Sequence, residues 1–382
     1  YYFLSQIFVI TAFFAIYKFS EEFFANQNFA LLSVLLLEGI YFYNFTTPEF
    51  NVNVCQLPFW TLSIYFTWRC IKYDKAKDYV FLGLFVGLGI LSKYLFIYLA
   101  IGIKFLFIYL IRKGKKIKFQ NYFIAGPIVF LILLPHIIWL SENNYTTIAY
   151  GFERTGGVGS FIDHLIHPLI FLSKQLGILI PFFLMVSVLI KKFKFTINFK
   201  DEKIIFLAFT TLLPILLILL TSIIMGAKIR TMWMTPFYLF FGVFLIQIFK
   251  KNILRRNFEK FYIIFAFFFT LFPAVYLGIS LTNETKRTAY PGKEIANLVE
   301  NKWEKNFKNE IKIVVGDEWF AGNLSYHLNS RPVWTKSLED KKFKIDPTGG
   351  VIYVGNIQIL KKVCPGIYGA IKPVGYCMIG QK

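Results

Sequence analysis

Residues 204–225 read IIFLAFTTLLPILLILLTSIIM, and no charge interrupts them. A helix rises about 1.5 Å per residue, so a run of this length crosses ~30 Å of hydrocarbon. In lipid every backbone N–H and C=O needs a partner within the segment, so the run reads as a membrane helix. The same reading extends along the chain and yields about ten spans. They run approximately over 1–17, 28–45, 54–71, 78–92, 94–111, 119–140, 164–190, 203–225, 232–249 and 260–281. The fourth and fifth are short and separated only by the turn at Lys93, which makes them a tight helical hairpin.

The composition agrees with the spans. Of 382 residues, 56% are hydrophobic and 20% aromatic, more apolar surface than a soluble domain of this size buries. The net charge of +20 does not mark a nucleic-acid face, because the basic residues sit in short clusters between apolar runs. Those clusters orient the bundle. One set of connections carries Lys18; Lys72, Lys75 and Lys77; Arg112, Lys113, Lys115, Lys116 and Lys118; Lys191, Lys192, Lys194, Lys200 and Lys203; and Lys250, Lys251, Arg255, Arg256 and Lys260. The opposite set carries Lys93, Arg154, Lys228 and Arg230. Nineteen cations against four place the first set in the cytoplasm. Residue 1 and the segment after 281 are then external. Tyr1 is preceded by no Met, basic n-region or cleavage pattern. One further span and an external loop are therefore expected upstream.

After residue 281 the composition changes. Pro291-Gly292 opens an amphipathic helix with Ile295, Leu298, Val299 and Trp303 at helical spacing. Ile311–Val315 reads as a buried strand ending at Gly316-Asp317, a short helix follows through Leu324 and Leu328, and Val351–Val354 is another strand. This alternation predicts a small α/β domain over 282–382. Cys364 and Cys377 lie in it, where an oxidising compartment permits a disulfide. Cys55 and Cys70 read as packing residues in or beside membrane runs.

The residues that bear chemistry gather at the external ends of the spans. In Thr46-Thr47-Pro48-Glu49-Phe50-Asn51-Val52-Asn53 a carboxylate is flanked by amides. Glu49 there suits a general base, or holds a metal or a sugar hydroxyl, or else is solvated after a proline break. Lys93 suits a phosphate or snorkels to lipid. Pro135-His136 and Trp139 close the sixth span, and His136 either faces a cavity or packs. The loop from Ser141 through Glu153-Arg154-Thr155-Gly156-Gly157 is polar and ends in glycines, which suits a mobile substrate loop. Asp163, His164 and His167 have the spacing of a partial metal site without a matched ligand set. Lys228, Arg230 and Trp233 set cations against the positive-inside bias, as an anionic lipid phosphate would require. An interfacial Arg and Trp anchor explains them equally.

Together, the Thr47–Asn53 segment, Gly83…Gly87-Leu88-Gly89-Ile90-Leu91-Ser92-Lys93-Tyr94 and Leu134-Pro135-His136-Ile137-Ile138-Trp139 resemble the polyprenyl-phosphate-sugar glycosyltransferases of the GT-C fold. That group includes protein O-mannosyltransferases, lipid A aminoarabinose transferases and lipopolysaccharide-core galacturonosyltransferases. The resemblance covers about 1–250. It implies an all-α polytopic bundle over 1–281 with a small external α/β domain over 282–382, in a bacterial inner membrane with that domain periplasmic. It also implies a polyprenyl-phosphate sugar donor and transfer on the external face beneath that domain. The main catalytic acid would lie in a loop upstream of Tyr1, with Glu49 as a second acidic residue. Lys93, Lys228 and Arg230 would hold donor phosphate, and Asn53, His136, Glu153 and Arg154 would meet substrate. Expected partners are the lipid-linked sugar and membrane lipids, with no nucleic acid. The sequence requires no metal, although a divalent ion suits such chemistry, and it names neither sugar, acceptor nor oligomeric state.

Two other readings compete. A transporter of a lipid-linked or anionic substrate calls for discontinuous spans, inverted repeats and charges near the midplane. A membrane scaffold whose tail binds a partner would leave Glu49, Lys93 and Arg230 dispersed.

Overall fold

Helix follows from the backbone constraint, and each break has a local cause. A computed structural model describes residues 2–155, 160–191, 198–282, 290–336, 349–371 and 374–382. Lys192, Lys194 and Gly156-Gly157, named above, lie outside the described residues. The chain divides into two compact units, Tyr1–Tyr276 and Leu277–Lys382.

The first is a helical membrane bundle. Its helices are α1 Tyr2–Phe24, α2 Gln27–Leu35, α3 Tyr41–Asn44, α4 Val52–Cys55, α5 Leu57–Tyr73, α6 Ala76–Ser92 and α7 Ile97–Arg112. There follow α8 Phe119–Glu142, α9 Thr146–Thr155, α10 Asp163–Leu189, α11 Glu202–Leu207, α12 Leu213–Met225, α13 Phe241–Phe249 and α14 Phe258–Thr282. Among the described residues, six helices are long and apolar enough to span a bilayer: Tyr2–Phe24, Tyr94–Arg112, Phe123–Glu142, Asp163–Leu189, Glu202–Met225 and Arg255–Thr282. The predicted spans at 54–71 and 78–92 are the 17-residue α5 and α6. Those at 28–45 and 232–249 are discontinuous: α2 passes through a 3-10 turn at Leu36–Gly39 into α3, and a 3-10 turn at Thr231–Met234 precedes α13.

Prolines explain two of the irregularities. Pro214 offers no N–H to the carbonyl of Thr210, and the ladder shifts there to a π-helical segment, Ala208–Leu212. Pro236 cannot serve the carbonyl of Met232, which instead accepts from the Thr235 N–H at 3.3 Å and the Thr235 hydroxyl at 2.6 Å. The two discontinuous spans meet, with the Tyr43 hydroxyl donating to the Thr235 carbonyl at 2.6 Å.

Lipid gives helices no hydrophobic reason to associate, so close packing must hold them. Aromatic rings fill the bundle: Phe19 meets Phe240 at 5.0 Å between centroids, Phe23 meets Trp68 at 4.9 Å, and Trp60 meets Phe237 at 4.8 Å. Small residues bring backbones together. A Cβ on Gly83 would stand 2.7 Å from the Ala125 carbonyl, fixing α6 against α8, and one on Gly242 would strike the Ser33 carbonyl. At the expected cytoplasmic end Arg69 joins three helices, donating to Glu22 at 2.8 Å and Asp78 at 3.0 Å.

The second unit is α/β. It contains α15 Gly292–Glu304, β1 Ile313–Gly316, α16 Phe320–His327, β2 Val333–Thr335, β3 Val351–Gly355, α17 Ile357–Val363, β4 Ile367–Ile371 and β5 Val374–Ile379. The sheet order is β2-β1-β3-β5-β4. β1 runs parallel to β2 and β3, and β5 antiparallel to β3 and β4. α15 and α16 pack on one face through Val299, Trp303 and Leu324 against Val314 and Ile352. Leu360 of α17 packs with Cys377 on the other face. Leu298, expected on the buried stripe of α15, is 70% exposed. The stripe is the narrower set Gly292, Ala296, Val299 and Trp303, which Leu298 flanks. Cys364 and Cys377 form a disulfide that ties the end of α17 to β5.

Gly83→Leu should separate α6 from α8 and lower stability by about 1–3 kcal/mol, read as thermal unfolding in detergent. Gly126→Ala, where an added Cβ meets nothing within 4 Å, should leave the transition in place. Equal transitions for the two variants would remove Gly83 as the contact that sets this helix pair.

Candidate active site

The loop between α3 and α4 is built by local hydrogen bonds. Asn51 accepts from the N–H groups of Asn53 at 2.9 Å and Val54 at 3.4 Å, which starts α4. The Asn51 side chain also donates to the Glu49 carbonyl at 3.1 Å, and the Glu49 N–H to Thr46 at 3.4 Å. α1 fastens this turn from the side: Ser5 donates to the Thr47 carbonyl, joined there by Gln6 at 3.3 Å. Phe8 packs edge-on to Phe50 at 5.2 Å. Glu49 thus rides on a fixed turn, within electrostatic reach of the Tyr41 hydroxyl.

Lys93 caps α6 in extended backbone, in the turn before α7. The Phe96 ring presses on Gly89, which has no side chain to obstruct so tight a turn. The Lys93 ammonium donates to Asn53 Oδ1 at 2.5 Å and lies 5.2 Å from the centre of the Trp233 ring. Burial pushes its pKa down to about 7. Asn53 is itself only 5% exposed. The structure therefore gathers Lys93, Asn53 and Trp233 in contact, four residues along the chain from Glu49.

A cavity of about 420 Å³ is lined by Tyr41, Lys174, Gly177, Ile178, Pro181, Thr231 and Phe272. The 3-10 turn Thr231–Met234 serves both features, giving Thr231 to the cavity and Trp233 to Lys93. Lys174 and Tyr41 are absent from the sequence-based candidates. Lys174 could have been found, since it is an ionisable residue inside the apolar run 164–190. Tyr41 could not, because one tyrosine in so aromatic a chain carries no signal.

The other candidates serve the surroundings of this cluster. His136 pairs through Nε2 with the Tyr94 hydroxyl at 2.6 Å, and that hydroxyl meets Thr147 Oγ1 at 2.6 Å. α9 is held at its other end by the Lys228 N–H on the Thr155 carbonyl at 3.0 Å. The loop expected to be irregular is thus largely a helix. Glu153 is exposed on it, and Arg154 Nε donates to the Tyr150 hydroxyl at 2.6 Å. The Lys228 and Arg230 side chains are exposed, close in sequence to Thr231. His164 and His167 bond through Nδ1 to the carbonyls of Ile223 at 2.7 Å and Gly226 at 2.8 Å, and so fasten the end of α12. Among the described residues no three His, Cys, Asp or Glu side chains converge as for a metal ion.

Residues 1–139 match the family model described as dolichyl-phosphate-mannose-protein mannosyltransferase. That segment includes Glu49, Asn53, Lys93 and His136. No curated protein matches the chain. The match, together with the bundle and its α/β unit, supports a membrane glycosyltransferase of the GT-C superfamily.

Above pH 10.5, where the lysine is neutral in both states, Lys93→Met should lower stability by about 1–3 kcal/mol, because it leaves the buried Asn53 carbonyl unpaired. Burial also sets a sign for pH. Between about 7 and the ordinary 10.5 the unfolded chain binds the Lys93 proton and the folded chain does not, so stability rises with pH across that window. In thermal melts followed between pH 7 and pH 10, that rise should shrink in Lys93→Met; an unaltered slope would contradict the buried position of the ammonium.

Proposed function

We propose that the chain transfers a sugar from a polyprenyl-phosphate donor to a hydroxyl of a lipid, glycan or protein acceptor on the external face of the membrane. The observation that carries this reading is the arrangement around the 231–234 turn. A cation cluster, Lys93 with Asn53 and Trp233, shares that turn with an apolar cavity lined by a second cation, Lys174. The family match over residues 1–139 supports the same class of reaction.

Such a transfer breaks the bond between the anomeric carbon and the phosphate oxygen and forms one to the acceptor oxygen. The acceptor proton passes to a carboxylate, and the electron pair of the broken bond stays on polyprenyl phosphate. Glu49 is the proposed base, on the loop that also supplies Asn53 and within electrostatic reach of the cavity-lining Tyr41. Lys174, which lines the cavity, and Arg230, next in sequence to the cavity-lining Thr231, would meet the charge gathering on the leaving phosphate. The apolar wall of Ile178, Pro181 and Phe272 suits the first isoprene units. The basic connections support a cytoplasmic position for the opposite end, and the Cys364–Cys377 disulfide supports an oxidising, external compartment for the α/β unit.

The transport reading retains one observation in its favour, the two discontinuous spans that meet at Tyr43 and Thr235. The two readings separate by experiment. The protein in lipid nanodiscs should move a hexose from one of a panel of polyprenyl-phosphate hexoses to an added hydroxyl acceptor. Glu49→Gln should slow transfer by about 10²–10⁴-fold if the carboxylate is the base, and Lys174→Gln should raise the donor concentration needed. Equal rates for wild type and Glu49→Gln would remove Glu49 from the mechanism. Donor flux across proteoliposomes without transfer would favour the transporter.

A further inference from the structure

The α/β unit has a second place built for a ligand. In a sheet ordered β2-β1-β3, the chain leaves β1 for β2 on one side and returns to β3 on the other. Loops diverge at such a switch point and leave a crevice outside the carboxyl ends of the two parallel strands. Gly316 and Val354 are paired at those ends. Gly316 has φ +151, and a Cβ on it would strike the Val354 carbonyl. Its backbone therefore closes against β3, and Asp317 and Asn356 leave from neighbouring strands, about 4.8 Å apart in such a sheet.

The polar groups there are half used. Asp317 Oδ1 accepts from the N–H groups of Trp319 at 2.8 Å and Phe320 at 3.0 Å. Asn356 Oδ1 accepts from the Gln358 N–H at 2.9 Å. Asp317 Oδ2 and Asn356 Nδ2 have no partner among the described residues, and both residues are exposed. Aromatic rings flank them. Trp334, 38% exposed, is fixed by its Nε1 donating to the Gly316 carbonyl at 3.1 Å. Trp319 meets Tyr290 edge-on at 5.6 Å. Burial, and after it the Asp317 carboxylate, push the Tyr290 phenol up, which sets that ring beside the carboxylate.

This chemistry selects its ligand. In doubly wound sheets a phosphate would use the free N–H groups at the helix after β1. Here the Asp317 carboxylate already occupies them with its own negative charge. Anions are therefore disfavoured. A free acceptor, a free amide donor and indole faces suit the hydroxyls and C–H faces of an uncharged sugar.

We propose that the switch-point crevice, formed by Asp317, Trp319, Trp334 and Asn356 with Tyr290 at its edge, binds an uncharged hexopyranose unit. This site is distinct from the one in the membrane bundle, and its test needs no catalysis. The protein in nanodiscs is examined by saturation-transfer NMR with methyl α-mannopyranoside, methyl β-galactopyranoside, methyl β-glucopyranoside, glucuronate and glucose 1-phosphate. At least one uncharged glycoside should receive saturation, and the two anions should not. Asp317→Asn preserves the helix cap, because Asn caps as well as Asp. It should nonetheless weaken the glycoside about tenfold, the cost of one charge-assisted hydrogen bond. Trp334→Ala should abolish the signal in protein whose thermal transition matches wild type. Saturation that survives both variants would place any binding elsewhere and overturn the proposal. So would preference for the anions, or no signal from any uncharged glycoside.

Discussion

The structure depends on one constraint: backbone polar groups within a bilayer must find partners inside the protein. Where the sequence lets the α-helical ladder run, it produces plain spans such as α1 and α7. Where the ladder fails, another group must take over, and such places accumulate polar side chains. The break after Met234 is of this kind. Pro236 lacks an N–H, so Thr235 serves Met232 twice, and the freed Thr235 carbonyl is taken by Tyr43 from the other discontinuous span. The two breaks therefore support one another. Tyr41, Thr231 and Trp233 stand where they do because of that pairing. The cavity and the Lys93 cluster are by-products of two helices that could not continue.

Much of this was legible before the structure. The apolar runs fixed the helices because in lipid no other backbone arrangement satisfies itself, and most ends differ by few residues, although α1 continues past the expected end at 17, through Lys18, to Phe24. The hairpin at Lys93 was legible from Gly89 and the short flanking runs. What escaped was the internal state of the spans. Hydropathy is indifferent to whether Leu36–Gly39 is an α or a 3-10 turn, since the apolar content is the same. In the tail, the three-residue β2 and the β4–β5 pair were missed. Strands so short carry little periodicity, and their identity comes from partners distant in sequence. The polar loop from Ser141 that ends in glycines is the sequence reading there, and its residues 146–155 form the helix α9. Its amphipathic pattern was the available signal.

At the site, sequence identified residue types better than neighbours. Lys93 and Asn53 were both singled out, yet nothing in a list of residues separated by forty positions states that one donates to the other. His164 and His167 show the converse. Their spacing suggested ligation, and the structure spends both rings on carbonyls freed at the end of α12. A histidine at a helix terminus satisfies orphan carbonyls well, and that local need explains the pair without a metal.

The two ends of the bundle treat cations differently, and the difference bears on function. Arg69 lies between Glu22 and Asp78 and is matched by two carboxylates, with Tyr65 adding its hydroxyl to Glu22 at 2.7 Å. Its charge is neutralised within the protein, as a structural ion network requires. Lys93 receives a neutral amide and the face of an indole. Neither carries a compensating charge, and burial already drives the ammonium toward losing its proton. A cation so placed is better stabilised by an arriving anion than by anything the fold supplies. The direction of that preference is fixed by electrostatics: a phosphate beside Lys93 would raise its pKa and hold the proton, whereas Arg69 has nothing further to gain. In the proposed function the Arg69 end needs no ligand, whereas the Lys93 end would gain from an anion.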